Sequence, residues 1–427
     1  MNRGPSPARR RLLARGLALA PAAWLARPAG AQPRRRLTVA AYPLVDEIVR
    51  AALPRWRERH PDVDVHVVTR QYADHHTAMT TALSTSVYLP DVMALEASYV
   101  GRFSQGRGLD DLAQPPYAVA RFRERFVRYA YDQAVNRRGE VVAVPTDIGP
   151  GTLLVRADLL AKAGLNEDAL TPSWEAYVEA GARIKAATGA YLISHAQIVK
   201  DIVIRSGLKP GEGLYFDRES RVLVNGSRFR RAFELARAVR RGKLDARVSA
   251  WSNEWAEGFK RGTLATEMSG AWMVGQLANW VAPGTAGLWR AAPLPGQTYV
   301  GYGGSYYALP RQAEAANKAL AWELVQLLTL DRERQFAAFK SQDAFPALLE
   351  AHEDPFFDEP LPFLGGQRAR RLWRDSARRI TATEVHKQNN FAEEVVSTEL
   401  DNVLDRGKDI GTALGDAERL LQKRAFR

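Results

Sequence analysis

Between Leu37 and Leu95 the chain alternates strand and helix patterns, and no other feature narrows its architecture as far. Leu37–Ala41 is a short apolar run with β-branched residues, suited to a buried strand. Leu44, Ile48, Ala52 and Trp56 then recur at the spacing of one helix face until His60, Pro61 and Asp62 break the pattern. Val63–Thr69 alternates as a second strand, residues 73–84 read as a second helix, and Val92–Leu95 is a third strand introduced by Pro90 and Asp91. Strand, helix, strand, helix, strand at this spacing predicts α/β architecture with a parallel sheet under covering helices. In such open sheets ligands sit beyond the carboxyl ends of the strands, which puts Tyr42, Pro43, Gln71, Tyr72 and Glu96–Tyr99 on a cleft rim.

A turn at Asn136–Glu140 leads to an apolar run at Val141–Val144. Pro145–Gly151 comes next, dense in residues that punctuate backbone structure, and reads as a crossing into a second lobe. The pattern then restarts, with strands at 153–155, 190–193 and 264–268 and helices at 157–163, 173–187, 196–206, 228–241, 252–261 and 271–280. Tyr215–Asp217 and Val222–Val224 flank a polar turn and read as a hairpin. Tyr299–Pro310, aromatic and glycine-rich, is a second crossing strand, and beyond Asp343 the pattern is helical to the end. The expected lobes are therefore 32–146 with 297–345, and 147–296 with 346–427.

The N-terminus adds a compartment. Arg3 and the cluster Arg9–Arg11 precede an apolar stretch richest from Leu17 to Leu25, and Ala29–Ala31 offers a small-residue cleavage site. That order reads as an export signal over residues 1–31, cut before Gln32, and the arginine pair followed by Leu12 and Leu13 resembles the twin-arginine type. A membrane anchor needs roughly 17–25 mostly apolar residues, and Arg15 and Arg27 interrupt the stretch too early. Cysteine is absent, so disulfides, thiolate metal sites and a lipid on an N-terminal cysteine after cleavage are not expected. The chain is expected in the periplasm, stabilised by its core alone. With 46% hydrophobic residues the roughly 396 residues after cleavage supply that core. The signal carries six arginines and no acid, so cleavage halves the formal charge of +12. The arginines at 228–241 sit on a helix pattern, and no nucleic-acid module accompanies them, which leaves nucleic acid out as a partner.

Enzyme constellations do not assemble. There is no nucleophile elbow, no HExxH, no phosphate loop and no dinucleotide fingerprint. His75 and His76 are adjacent, a poor arrangement for sharing one metal, and read as exposed residues at a helix end. Neither a metal nor a cofactor is expected. Carboxylates are plentiful, but none is singled out by context, so hydrolysis by a carboxylate pair stays open. Aromatic residues in polar or glycine-rich surroundings are the stronger signal. Trp251 and Trp255 lie four apart, on one face if helical; Trp272 comes just after a strand and Gly270; and Tyr299, Tyr302, Tyr306 and Tyr307 surround Gly301, Gly303 and Gly304. Rigid aromatic faces cover the apolar side of a small polar ligand while amides and carboxylates take its hydroxyls, a two-sidedness that sugars share.

At this point the chain resembles a family: the extracellular solute-binding proteins of sugar-type ABC importers (family 1), the group that includes maltose-binding protein. Leu89–Glu96 and Gly108–Leu112 are similar to the family's early "PDV" strand and the helix after it. Leu153–Leu165 is similar to "YNKDLFKKAGL", Thr171–Tyr177 to "TPxTWDE", and Phe259–Trp272 to "FxxGKAAMxxxGxW". Gly303–Ser305, Ala319–Glu323 and Phe345–Ala347 match the later blocks. The resemblance implies a two-lobed periplasmic binding protein fold of type II, with a ligand cleft between the lobes. It implies that Trp272 stacks on sugar rings, that Glu96 contacts hydroxyls, and that Asp147, Gly149, Gly304 and Ser305 line the cleft where the chain crosses. Together with Tyr42, Trp255 and Tyr302, named on local context, these are the expected ligand-binding residues. Arg156 departs from the family's usual Asn, Thr266 from its frequent Ala, and Ala97, Ser98 and Tyr99 lack the cluster of maltose binders. The implied function is capture of a carbohydrate, an acidic sugar or sugar phosphate included, for an inner-membrane permease, by a monomer without catalysis. A periplasmic lyase or hydrolase, or a receptor for another small polar solute, is the alternative.

Overall fold

The computed structural model describes residues 34–209 and 211–425; the expected export signal at 1–31 lies outside them. Seven strands are joined by hydrogen bonds: β1 (Arg35–Ala41), β2 (Val63–Thr69), β3 (Val92–Glu96), β4 (Val144–Arg156), β5 (Thr266–Gly270), β6 (Trp289–Ala292) and β7 (Gly301–Ala308). Their order is β2-β1-β3-β7-β4-β5, with β6 also on β4. The pairs β1/β2 and β1/β3 are parallel, as the opening alternation predicts, and every other pair is antiparallel. Helices α1 (Val45–Arg59), α2 (Tyr72–Thr85) and α3 (Ala97–Gln105) come after the first three strands. α1 buries Val45, Ile48, Val49, Ala52, Leu53 and Trp56, one continuous stripe of the helix surface.

β4 carries the architecture. Its first half, Val144–Pro150, pairs with β7, and its second half, Gly151–Arg156, lies between β5 and β6. One strand therefore belongs to two sheets, and the change of partner falls at Pro150 and Gly151. The sequence pattern divides this stretch into a strand, a punctuated crossing and another strand. It is instead a single strand of 13 residues. The ladder to β7 slips between Pro145 and Asp147 and again between Ile148 and Pro150. Proline has no N–H to donate, so irregular ladder positions are where it fits. At the slips the backbone finds other partners, Ile148 N–H donating to the Phe345 carbonyl at 2.8 Å and Gly151 N–H to that of Val300 at 2.9 Å.

Side chains gather into two large apolar clusters. The first joins Leu37, Val49, Trp56, Val92, Tyr307 and Val325 and runs on through Trp255, Phe259, Trp289, Leu364 and Trp373. The second joins Leu153, Trp174, Tyr177, Ile193, Phe229 and Phe233 with Leu400 and Leu414. The tail after residue 343 is less helical than its pattern predicts. Short 3-10 turns occupy Leu349–Leu364 before the helices Ala369–Ala377, Asn389–Arg406 and Ile410–Gln422. The stretch 190–193 forms isolated bridges to Leu264 and Asp245, and the expected hairpin reduces to one bridge, Phe216 with Val222.

Candidate functional site

The carboxyl ends of β1 and β3 and Asp147 of β4 face a cleft of about 1090 Å³. That matches or exceeds the roughly 300–1,000 Å³ of most small-molecule sites. Of the residues expected to bind ligand, Tyr42, Glu96, Asp147, Trp272, Tyr302, Gly304 and Ser305 all line it.

One wall is polar. Glu96 ends β3 and caps α3, its Oε2 accepting the Ser98 backbone N–H at 2.9 Å, the Tyr72 hydroxyl at 3.0 Å and the Ser98 hydroxyl. Burial lifts its carboxyl above the ordinary range, against the pull of these donors and of the Arg205 charge. Asp147 pairs with Ser305 across the β4/β7 ladder, and the Ser305 hydroxyl accepts a 2.9 Å hydrogen bond from Tyr42. Burial first, and the nearby Glu96 charge, push Asp147 up to about 6. Gly304 turns the strand beside them at φ +120°, where a Cβ would stand 2.8 Å from the Asp147 carbonyl oxygen.

His75 and His76 reverse their expected exposure: both are fully buried under the rim. α2 lies close against β3, so each ring meets backbone: His75 Nε2 approaches the Ala94 carbonyl at 2.7 Å, and His76 Nε2 accepts the Glu96 N–H at 3.1 Å. His76 Nδ1 then carries the proton and donates to the Tyr72 carbonyl at 2.8 Å. Burial holds His76 at about 4 and pushes His75 below its usual value, and it is the His76 ring that holds the Glu96 backbone in place. Adjacency in sequence carries no sign of this role, which depends on where β3 lies.

The opposite wall is aromatic. Trp272 stands just beyond β5, and its indole N–H donates to the Tyr302 carbonyl at 2.9 Å. Gly149 and Gly270 make room for that bond. A Cβ on Gly149 would stand 1.9 Å from the Tyr302 oxygen, and one on Gly270 2.3 Å from the Trp272 indole nitrogen. Gly149 thus supports the site from behind and does not line it, contrary to expectation. Trp255 is also displaced from the expected set, being 1% exposed in the core. Ser252 caps the helix Asn253–Arg261, so Trp251 lies outside the helix at φ +69° and the two indoles do not share a helical face. Trp251 lines the cleft above Trp255, ring centres 5.1 Å apart. Beneath, the Trp255 indole N–H points to Glu267 Oε2 at 3.4 Å, and burial pushes that carboxyl up to about 8.

Charge in the cleft comes from Glu96, Asp147, Asp343 and Glu393 against Arg205 and Arg379. Burial pushes Asp343 up to about 6, and Arg379 donates to the Tyr299 hydroxyl at 2.6 Å. Arg205, Glu393 and Arg379 are not among the expected residues; they reach the cleft from helix ends and a late loop with no local motif. Arg156, the departure seen in the sequence, points away from it. It is 4% exposed, grips Asp158 with two bonds of 2.8 and 2.9 Å, and donates to the Phe259 carbonyl at 2.7 Å. Its role is to tie the end of β4 to the helix Asn253–Arg261. Among the described residues no group of three His, Cys, Asp or Glu is placed to hold a metal, and no helix is long and apolar enough to cross a membrane.

Comparison with known proteins gives a match to the bacterial extracellular solute-binding protein family over residues 41–335. The chain is 25% identical over 339 residues to the lactose-binding protein of Rhizobium radiobacter, covering 75% of this chain and 76% of that protein. Among solved structures it is similar to the sugar-binding protein MalE from Xanthomonas citri, at TM-score 0.76 and 21% identity, covering 91% of this chain and 97% of the other. It is also similar to an ABC transporter associated binding protein from B. animalis subsp. lactis Bl-04 in complex with beta-1,6-galactobiose, at TM-score 0.71 and 20% identity, covering 92% and 97%. These structures share the two-lobed α/β fold.

Proposed function

Because the chain belongs to the bacterial extracellular solute-binding protein family, we propose that it captures a carbohydrate between its lobes and delivers it to the permease of an ABC importer. The observation that carries this reading is the two-sided cleft. Trp272, Trp251 and Tyr302 offer ring faces on one wall, while Glu96, Asp147, Tyr72 and Ser305 offer hydroxyl partners on the other. Aromatic faces take the C–H side of a sugar ring and carboxylates its hydroxyls, which is what the pairing of walls provides. The ligand we assign is neutral. Four carboxyls against two guanidiniums in the cleft disfavour an acidic sugar or sugar phosphate.

The lobes we assign are 32–146 with 297–345, and 147–296 with 346–427, and they close over ligand by bending where β4 changes sheets. The protein works in the periplasm as a monomer, without catalysis, after removal of residues 1–31. Two carboxyls with raised proton affinity in one cleft, Glu96 and Asp147, are the feature that favours a hydrolytic enzyme instead. One experiment separates the readings. Melting curves are taken with saturating lactose, maltose or beta-1,6-galactobiose, and the sugar is then analysed for products. A ligand at a hundred times its Kd stabilises by about 2.7 kcal/mol. We expect that stabilisation with no turnover, and its loss in Trp272→Ala. Products would establish the enzyme, and unaltered stabilisation in Trp272→Ala would remove the stacking argument.

A further inference from the structure

Residues 228–247 hold eight arginines and lysines against two acids, a net charge of +6. That equals the formal charge left on the whole chain once residues 1–31 are removed, so the rest of the chain beyond them is in balance. One segment carries the imbalance. The cleft does not explain it, since none of these residues lines that cavity.

The helix Ser227–Arg241 sets the geometry. Phe229, Ala232, Phe233, Leu235, Ala236 and Val239 face inward onto the second apolar cluster. At 3.6 residues per turn, Arg230, Arg237 and Arg241 then fall within an arc of about 40° on the outer face, in a row about 16 Å long. Lys243 and Arg247 continue it, exposed, beyond the end of the helix. Among the described residues, Arg228, Arg231 and Arg240 are paired with Glu212, Glu175 and Asp245. Arg230, Arg237, Arg241, Lys243 and Arg247 make no ion pair among them. Glu234 is the one exposed acid of the segment, and Asp409, which caps the helix Ile410–Gln422, feels the Arg230 charge without pairing with it. A cation in the last turn offsets the helix dipole, which accounts for Arg241 but not for Arg230 or Arg237. Like charges at this spacing repel one another, and a partner of opposite charge removes that cost.

We propose that the outer face of Ser227–Arg241, with Lys243 and Arg247, is a docking surface for a membrane of anionic phospholipids. Guanidinium forks match phosphate oxygens, and basic clusters of about four to eight residues on a helix face suit such headgroups. An exposed straight row fits an extended field of phosphates. The aromatic residues of the helix, Phe229 and Phe233, are buried, so no ring on this face is offered for stacking on a nucleic-acid base. The apolar side of the helix is spent on the core, so the helix cannot insert, and the contact is electrostatic and reversible by salt. Such a surface keeps a chain without cysteine-linked lipid close to the membrane that houses an importer. It goes beyond carbohydrate capture and does not depend on it.

Sedimentation of the mature protein with vesicles tests this, using pure phosphatidylcholine and phosphatidylcholine with about one-third phosphatidylglycerol. We expect at least tenfold stronger partitioning onto the anionic vesicles at about 0.1 M salt, and its loss at about 1 M, where the Debye length shrinks to about 3 Å. Combined Arg230→Gln, Arg237→Gln and Arg241→Gln should weaken partitioning tenfold or more. Combined Arg34→Gln, Arg35→Gln and Arg36→Gln removes the same charge from another exposed cluster and should change it less than twofold. Melting curves of both triple variants separate lost contact from lost folding. Equal partitioning onto the two kinds of vesicle overturns the proposal, as does binding that survives high salt. Equal losses in the two triple variants would mean that net charge acts and the row does not. Tighter binding to a DNA duplex than to anionic vesicles at the same salt would assign the row to nucleic acid instead.

Discussion

Glu267 is a carboxyl where the fold offers it one weak partner, the Trp255 indole, and little water. Its pKa in the folded chain, about 8, stands above the ordinary 4.5 because burial disfavours the charged form. A carboxyl raised in this way supports folding fully below pH 4.5, and that support is lost as pH rises through 8. Glu267→Gln removes the penalty. Urea denaturation at pH 5 and pH 9 should show the variant gaining on wild type by on the order of 2–4 kcal/mol between the two. Parallel stability–pH curves would mean that the carboxyl is solvated. Sequence carries the residue scale unevenly. Trp272 is legible because a strand, a glycine and an indole in succession define a strand end. Trp255 is not, because one residue of helix onset, Ser252 as cap, decides which of two indoles faces the cleft. His76 is not, because its partner is a backbone N–H on a different strand.

At the scale of elements, β4 shows where pattern reading stops. The first five elements are legible because each has strong periodicity and local punctuation. β4 is dense in proline and glycine and pairs with β7, β5 and β6, all far away in sequence. Its regularity comes from those partners, which no local window contains. The same holds for β6, a strand that has no place in the sequence pattern. Two glycines in this region serve the site through packing. Gly149→Ala forces the Tyr302 carbonyl off β4 and disturbs the Trp272 indole bonded to it. Overpacking of this kind costs about 1–3 kcal/mol. We expect a melting temperature several degrees lower and sugar affinity reduced tenfold or more, read by denaturation and calorimetry. Full affinity at reduced stability would show that Trp272 holds its place without Tyr302.

For the whole molecule, the proposed closure is a bend in a continuous ladder, because β4 pairs with β7 along one half and with β5 and β6 along the other. Small-angle scattering should record a smaller radius of gyration with saturating sugar than without. An unchanged radius would place binding in a cleft already shut. The shared ladder also sets an order of events before any ligand arrives. β3 finds its second neighbour only in β7, where Met93 meets Ala308 and Glu96 meets Ser305. While the ribosome is still making residues 97–300, that edge of β3 has no strand beside it and offers unpaired backbone to any passing chain. Such non-local pairing is slow and invites aggregation during synthesis. A nascent chain of this topology therefore depends on being shielded until nearly three-quarters of it has emerged.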